Sequence, residues 1–206
     1  MIGSIEGTES GGTDHGLMMY SLANKRCEQF NRCQSDGTAE LNGLLIDLLY
    51  AGRGETMGSN CDALQKTTRE IEELLLVPLI QGTLRYAIAN EKLLFFDKSK
   101  DLAEGYVFSH SVLPYVAEVD GDAAGVIKRN MDFQFDSEPV RDGARKVFQA
   151  FASAIPKMGV DCEVVGTVNG LGGVCDRSSS SPSRRTQLSL LTSIAVAGVA
   201  VVASLL

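Results

Sequence analysis

SNCDALQKTTREIEELLLVPLIQGTLRYAI, residues Ser59–Ile88, is the stretch whose reading decides the fold class. Leu64, Thr67, Ile71, Leu74 and Leu75 recur at helical spacing and form one stripe, while Lys66, Arg69, Glu70 and Glu73 fall elsewhere. Ser59 and Asp62 at its head read as a capping box, the hydroxyl meeting a free backbone N–H and the acid bonding back. Pro78 stands inside a pattern that continues through Leu79, Ile80, Leu84, Tyr86 and Ile88. A proline removes one helix hydrogen bond and crowds the preceding turn, so a kink or break is expected near Val77.

Outward from this stretch the same period recurs. Upstream, Leu41, Leu44, Leu45, Leu48 and Leu49 give a clean amphipathic helix over 39–51, which GRGETMG is expected to break. QSDGT (Gln34–Thr38) reads as a turn. Before it a helical segment runs from Leu17 with Met18, Leu22, Ala23 and Phe30 near one face. Downstream, Leu102, Tyr106, His110, Leu113 and Ala117 mark a helix over 101–119, and 122–131 a shorter one. Val140, Ala144, Val147, Phe148 and Phe151 place the last long helix over 139–155, and strand signals are confined to 164–168. The sum is an all-α bundle of five to six helices with a short Gly-rich β-like loop.

At the far end, LSLLTSIAVAGVAVVASLL (Leu188–Leu206) runs for about 19 residues without a charge, close to the ~20 that a helix needs to cross a hydrocarbon core. Its polar members are Ser and Thr, whose hydroxyls can bond back to a helix backbone. The segment therefore reads as a C-terminal hydrophobic helix that holds the chain at a membrane. Ser178, Ser179 and Ser180 precede it, followed by a polar spacer with Arg184 and Arg185. Small residues, spacer and apolar tail are also the parts of a glycolipid-anchor signal, whose tail is removed. Transmembrane helix and glycolipid signal both stay open. With the domain outside the cell, the two arginines oppose the positive-inside tendency of a permanent span, whereas a cytosolic tail-anchored protein satisfies it.

MIGSIEGTESGGTDH (Met1–His15) has neither a basic nor an apolar signal-peptide region, so it reads as a flexible linker. The chain then divides into linker (1–15), helical domain (16–176), Ser-rich stalk (177–187) and membrane-anchor segment (188–206). A net charge of −7 and a pI near 4.9 argue against nucleic-acid binding, which needs a basic patch to neutralise phosphates. The five cysteines, Cys27, Cys33, Cys61, Cys162 and Cys175, contain no CxxC pair. In an oxidising compartment they allow two bridges and a free thiol, or a bridge to another segment. A Cys162–Cys175 bridge would staple the Gly-rich EVVGTVNGLGGV, but spacing leaves the pairing open. No GxSxG, HExxH or phosphate loop occurs, and His15 and His110 are the histidines available near neutral pH, so no enzyme is expected.

GLMMYSLANKRCEQFNRC (Gly16–Cys33), LLLVPLIQGTLRYA (Leu74–Ala87) and EGYVFSHSVLPYVAEVDGDAAGVIKRNM (Glu104–Met131) together resemble the algal low-iron-inducible periplasmic protein family, which includes the phytotransferrins. The middle stretch is the most specific, since a Pro-Leu-Ile-Gln-Gly turn in a helical run is unusual. The resemblance spans most of Gly16–Cys175. It implies a cell-surface or periplasmic protein induced by iron scarcity, and in phytotransferrins the capture of ferric iron with carbonate before uptake. Full-length members carry a secretory signal and two related halves. This chain resembles the C-terminal half with its surface anchor. The resemblance thus implies an N-terminally incomplete chain with a second related half upstream, and an external domain.

Ferric iron is a hard cation that prefers phenolate, carboxylate and carbonate oxygen, with an occasional imidazole. Tyr106 and His110, spaced i, i+4, share a helical face and offer a phenolate–imidazole pair; equally, both fit a core lined by Leu102 and Leu113. Asp47 and Tyr50 offer a carboxylate and a phenolate, with Arg53 beyond as an anion clamp, or else cap an exposed helix terminus. Tyr86 with Arg85 is a further phenolate and anion-binding pair. Glu70 and Glu73 are also candidates, although Arg69 and Glu73 at i, i+4 read equally as a surface ion pair. These ligands rest on local chemistry and are not carried over from the family. The expected function is a cell-surface iron-assimilation protein binding ferric iron with carbonate. Its rivals are a helical surface or adhesion protein without metal binding and a cytosolic tail-anchored protein.

Overall fold

A computed structural model describes residues 19–91, 99–132, 139–168 and 171–175. Among them are seven helices and one antiparallel hairpin. The helices are α1 (Met19–Phe30), α2 (Glu40–Met57), α3 (Cys61–Glu91), α4 (Ser99–Val119), α5 (Gly121–Met131), α6 (Ala144–Ala154) and α7 (Cys162–Val165). The hairpin pairs β1 (Thr167–Val168) with β2 (Gly172–Gly173), in register Thr167↔Gly173 and Val168↔Gly172. The helical class follows from the periodicity. The seventh helix is a single turn lying where a strand was expected, so the strand signal at 164–168 is right only for its last two residues.

α3 is the axis of the bundle, with α1, α2, α4, α6 and α7 packed around it. It starts one residue later than the capping box implied. The Ala63 N–H donates to Asn60 Oδ1 at 3.2 Å, while Ser59 takes a left-handed φ of 54° to close the end of α2. The helix also runs unbroken through Pro78, so of the kink or break expected near Val77 the break does not occur. Leu76, Val77, Ile80 and Leu84 are all buried around that proline. At about 1.5–3 kcal/mol for each fully buried aliphatic side chain, their burial exceeds the ~3 kcal/mol that an interior proline costs.

α2 likewise continues through GRGETM, where a break was expected. A Cβ on Gly52 would lie 3.5 Å from Thr67 Cγ2 and 3.6 Å from Leu64 Cδ1, so this glycine sits against α3. The Thr67 hydroxyl donates to Glu55 at 3.0 Å across the same contact. Packing there offsets the ~1 kcal/mol that a mid-helix glycine costs.

The α3–α4 seam is closer still. A Cβ on Gly82 would fall 2.5 Å from Phe108 Cδ1, and one on Gly105 would fall 2.9 Å from Asn90 Nδ2 and 3.1 Å from Tyr86 Cβ. Each helix thus gives up one side chain so that the backbones can meet. Gln81, in the Pro-Leu-Ile-Gln-Gly segment, is buried and donates its Nε2 to the Val165 carbonyl at 2.9 Å, tying α3 to α7.

Asp120 caps α5. It accepts from the Ala123 N–H at 3.0 Å, and its other oxygen takes the Ser153 hydroxyl at 2.7 Å and Lys157 Nζ at 2.6 Å. These bonds hold its carboxyl well below the usual carboxylate range, with the Lys157 bond contributing most. α6 begins at Ala144 and not near Pro139, because Val140–Gly143 form a turn pinned to Asn130 and Arg129 of α5.

Two disulfides close the molecule, Cys27–Cys33 at the end of α1 and Cys162–Cys175 around α7 and the hairpin; Cys61 is free and exposed. Among the described residues no helix is long and apolar enough to cross a membrane. The linker at 1–15, the stalk at 177–187 and the hydrophobic segment Leu188–Leu206 lie outside the described residues.

Candidate functional site

α4 carries chemistry on two opposite flanks. Residues two apart on a helix stand about 200° apart around its axis, so Glu104 and Tyr106 face different neighbours. On the α5 flank, the Tyr106 and His110 rings stack with centroids 3.8 Å apart. His110 Nδ1 lies 3.0 Å from the Tyr106 carbonyl, a turn behind it. A ring N–H donated there fixes the tautomer and leaves Nε2 as the lone-pair nitrogen. That Nε2 lies 3.7 Å from the carboxylate of Asp132, a buried side chain at the C-terminal end of α5. His110 thus stands between a stacked phenol ring and a buried carboxylate.

On the α1 flank, Tyr86 of α3 donates its hydroxyl to Glu104, whose carboxylate also lies 3.7 Å from Lys100 Nζ. Tyr86 stacks on Phe108 at 5.7 Å, and the Arg26 guanidinium of α1 covers both rings at 5.6 and 5.7 Å. Arg85 lies 6.0 Å from the Tyr86 ring. Arg26 is only 8% exposed, and its desolvation, followed by the nearby Arg85 charge, lowers its pKa, while Glu104 opposes the shift. A cleft of about 400 Å³ opens between α1 and α4 beside this group.

The candidates read from the sequence therefore separate. Tyr106 and His110 stand together, and Tyr86 with Arg85 stands on the other flank. Asp47, Tyr50 and Arg53 are exposed on α2, which packs on α1 and α3, and they join neither group. The surface ion pair on α3 forms between Lys66 and Glu70, at 3.5 Å. Cys162, Glu163 and Cys175 offer sulfur and oxygen atoms within 4.8 Å of one another, but both sulfurs are spent in the disulfide and one carboxylate remains. Sequence reasoning passed over Asp132 and Arg26. Arg26 did leave a signal, as a cation on the apolar stripe of Ala23, Cys27 and Phe30.

Comparisons with family models, with curated proteins and with solved structures found no match to this chain. The likeness noted above thus rests on its three stretches. Those stretches meet in space: Arg26 comes from the first, Tyr86 from the second, and Glu104 and Phe108 from the third.

Proposed function

We propose that this chain is a cell-surface iron-assimilation protein that binds ferric iron, with carbonate as co-ligand, for uptake. The observation that carries the reading is the set of Tyr106, His110 and Asp132. His110 turns one nitrogen to its own helix and the other to a buried carboxylate at 3.7 Å. Metal bonds of about 2.1 Å to each donor fit across that separation. The donor types suit a hard trivalent cation. One phenolate and one carboxylate leave a ferric ion with a single positive charge and open positions, which carbonate fills as a dianion. Arg53 and Arg85 lie away from this group, so carbonate here is held by the metal.

The two disulfides support the surface location, since such bridges persist in oxidising compartments. The three-stretch resemblance supports the iron reading. The tail gives the membrane attachment, as a transmembrane helix or a glycolipid signal.

The test is a ferric titration of the purified protein with and without bicarbonate, read by the visible tyrosinate–iron charge-transfer band. A bicarbonate-dependent band is expected. It should vanish in Tyr106→Phe, persist in Tyr86→Phe, and need at least about tenfold more iron in Asp132→Asn. No band and no affinity in the parent protein sinks the proposal.

The rival reading is a helical surface protein without metal binding. The same pair favours it, because the approach of His110 to Asp132 at 3.7 Å already sets α4 against the end of α5 with no metal between them. On that reading Asp132→Asn lowers the melting temperature and no iron binds at all.

A further inference from the structure

Arg26 is a guanidinium out of place. It is 8% exposed, its Nη1 donates to Gln29 Oε1 at 2.6 Å, and its buried Nε has no hydrogen-bond partner. A buried donor left unmet costs about 1–3 kcal/mol, and more when it is charged. Its electrostatic surroundings do not balance it. Arg85 adds repulsion, and Glu104, the acid that opposes it, is already shared with the Tyr86 hydroxyl and Lys100. Lys25 adds a further cation at the rim. This local excess of positive charge sits in a chain whose net charge is −7.

The cleft beside Arg26 has a definite character. Its walls are Leu22, Ala103, Val107 and Phe108, with Lys25, Arg26 and Glu104 as the polar members. The volume of about 400 Å³ lies within the range of small-molecule sites. Apolar walls with one under-coordinated guanidinium call for a ligand with an apolar body and one anionic head. A planar carboxylate matches the fork of a guanidinium, and a single negative charge meets less repulsion from Glu104 than a phosphate dianion would.

We infer that the cleft between α1 and α4 is a binding site for a small monocarboxylate with an aromatic or aliphatic body, its head on Arg26 and its body against Phe108. Glu104 and Phe108 stand on the flank of α4 away from Tyr106 and His110, Ala103 and Val107 lie between the two groups, and binding in the cleft does not depend on iron.

The test uses the full-length chain without added metal. Its probe is para-fluorobenzoate, observed by fluorine NMR. The neutral para-fluorobenzamide has the same body, and acetate serves as a competitor with the same head and no body. The acid should bind saturably, with the amide and acetate each at least about tenfold weaker, a difference of about 1.4 kcal/mol. Val107 is 60% exposed, so Val107→Asp places a negative charge on the cleft wall without touching the core. It should weaken the acid at least about tenfold, as should Arg26→Gln. The inference is overturned if the amide binds as tightly as the acid. It is equally overturned if Val107→Asp, with unchanged near-ultraviolet circular dichroism, binds the acid as the parent does.

Discussion

Asp120 does three things with one carboxylate: it caps α5, and it anchors Ser153 of α6 and Lys157 just beyond it. Because its folded-state pKa is depressed, the charged form is favoured in the folded protein. The resulting stability is fully present above the ordinary aspartate range near 3.9 and is lost as pH falls toward the folded value. Asparagine caps a helix about as well as aspartate, so Asp120→Asn removes the charge and leaves the cap type. The variant should melt below the parent at pH 7. The gap should narrow as pH drops below about 4. A gap that held constant through that range would show that charge is not what Asp120 contributes.

Single residues are also where sequence reading is weakest. Tyr106 and His110 were visible because four residues on one helix are a local spacing. Their partner Asp132 was not, since it comes from the end of another helix and only packing brings it to His110. Arg26 was overlooked for a different reason. A cation on an apolar stripe normally extends its head to solvent along an apolar stem, whereas here the head stays buried, 5.6 and 5.7 Å from the centroids of two rings.

Helix contacts were legible in kind and less so in detail. The leucine stripe gave α2 and, in Leu41 and Leu45, its buried face, although Leu44 is exposed; GRGETM misled because glycine was read for its flexibility and not for the close approach that Gly52 makes to Thr67. Pro78 is a related case: its local cost was visible in the sequence, whereas the burial that offsets it and spares the helix a break came from packing against other elements. The α3–α4 seam yields a prediction of definite sign. An exposed helix position gains up to about 1 kcal/mol from Gly→Ala. At Gly82 the added methyl meets the Phe108 ring, so Gly82→Ala should instead destabilise by about 1–3 kcal/mol. Chemical denaturation measures it, and a stabilised variant would contradict the seam. Gln81→Met keeps the volume of the side chain but leaves the buried Val165 carbonyl without its donor. A loss of about 1–3 kcal/mol is expected by the same measurement. An unchanged midpoint would mean that the tie between α3 and α7 carries little.

Taken whole, the molecule is a helical bundle around one long helix, closed by bridges at the end of α1 and around α7. The class was readable from periodicity alone, since helices are set by neighbours within a turn. The arrangement around α3 was not, because it depends on which distant segments meet; of the bridges, Cys162–Cys175 was suggested by the loop it brackets, while spacing alone left the pairing of the five cysteines open. The surface location we propose rests on the tail sequence and the bridges together, and it can be checked on living cells. A phospholipase that cleaves glycolipid anchors should release the chain from intact cells if the tail is an anchor signal. With a transmembrane helix the chain should stay on the cells yet be digested by added protease. Protection from both treatments would place it inside the cell and sink the surface reading.

The seam at Gly105 has a bearing on how such a protein could change over time. With Asn90, Tyr86 and Met131 crowding that glycine, α4 has little freedom to roll between its neighbours. A substitution at any of the three that needs more room would therefore be felt on α4 as well, and these positions should change rarely, or together, among copies of this chain.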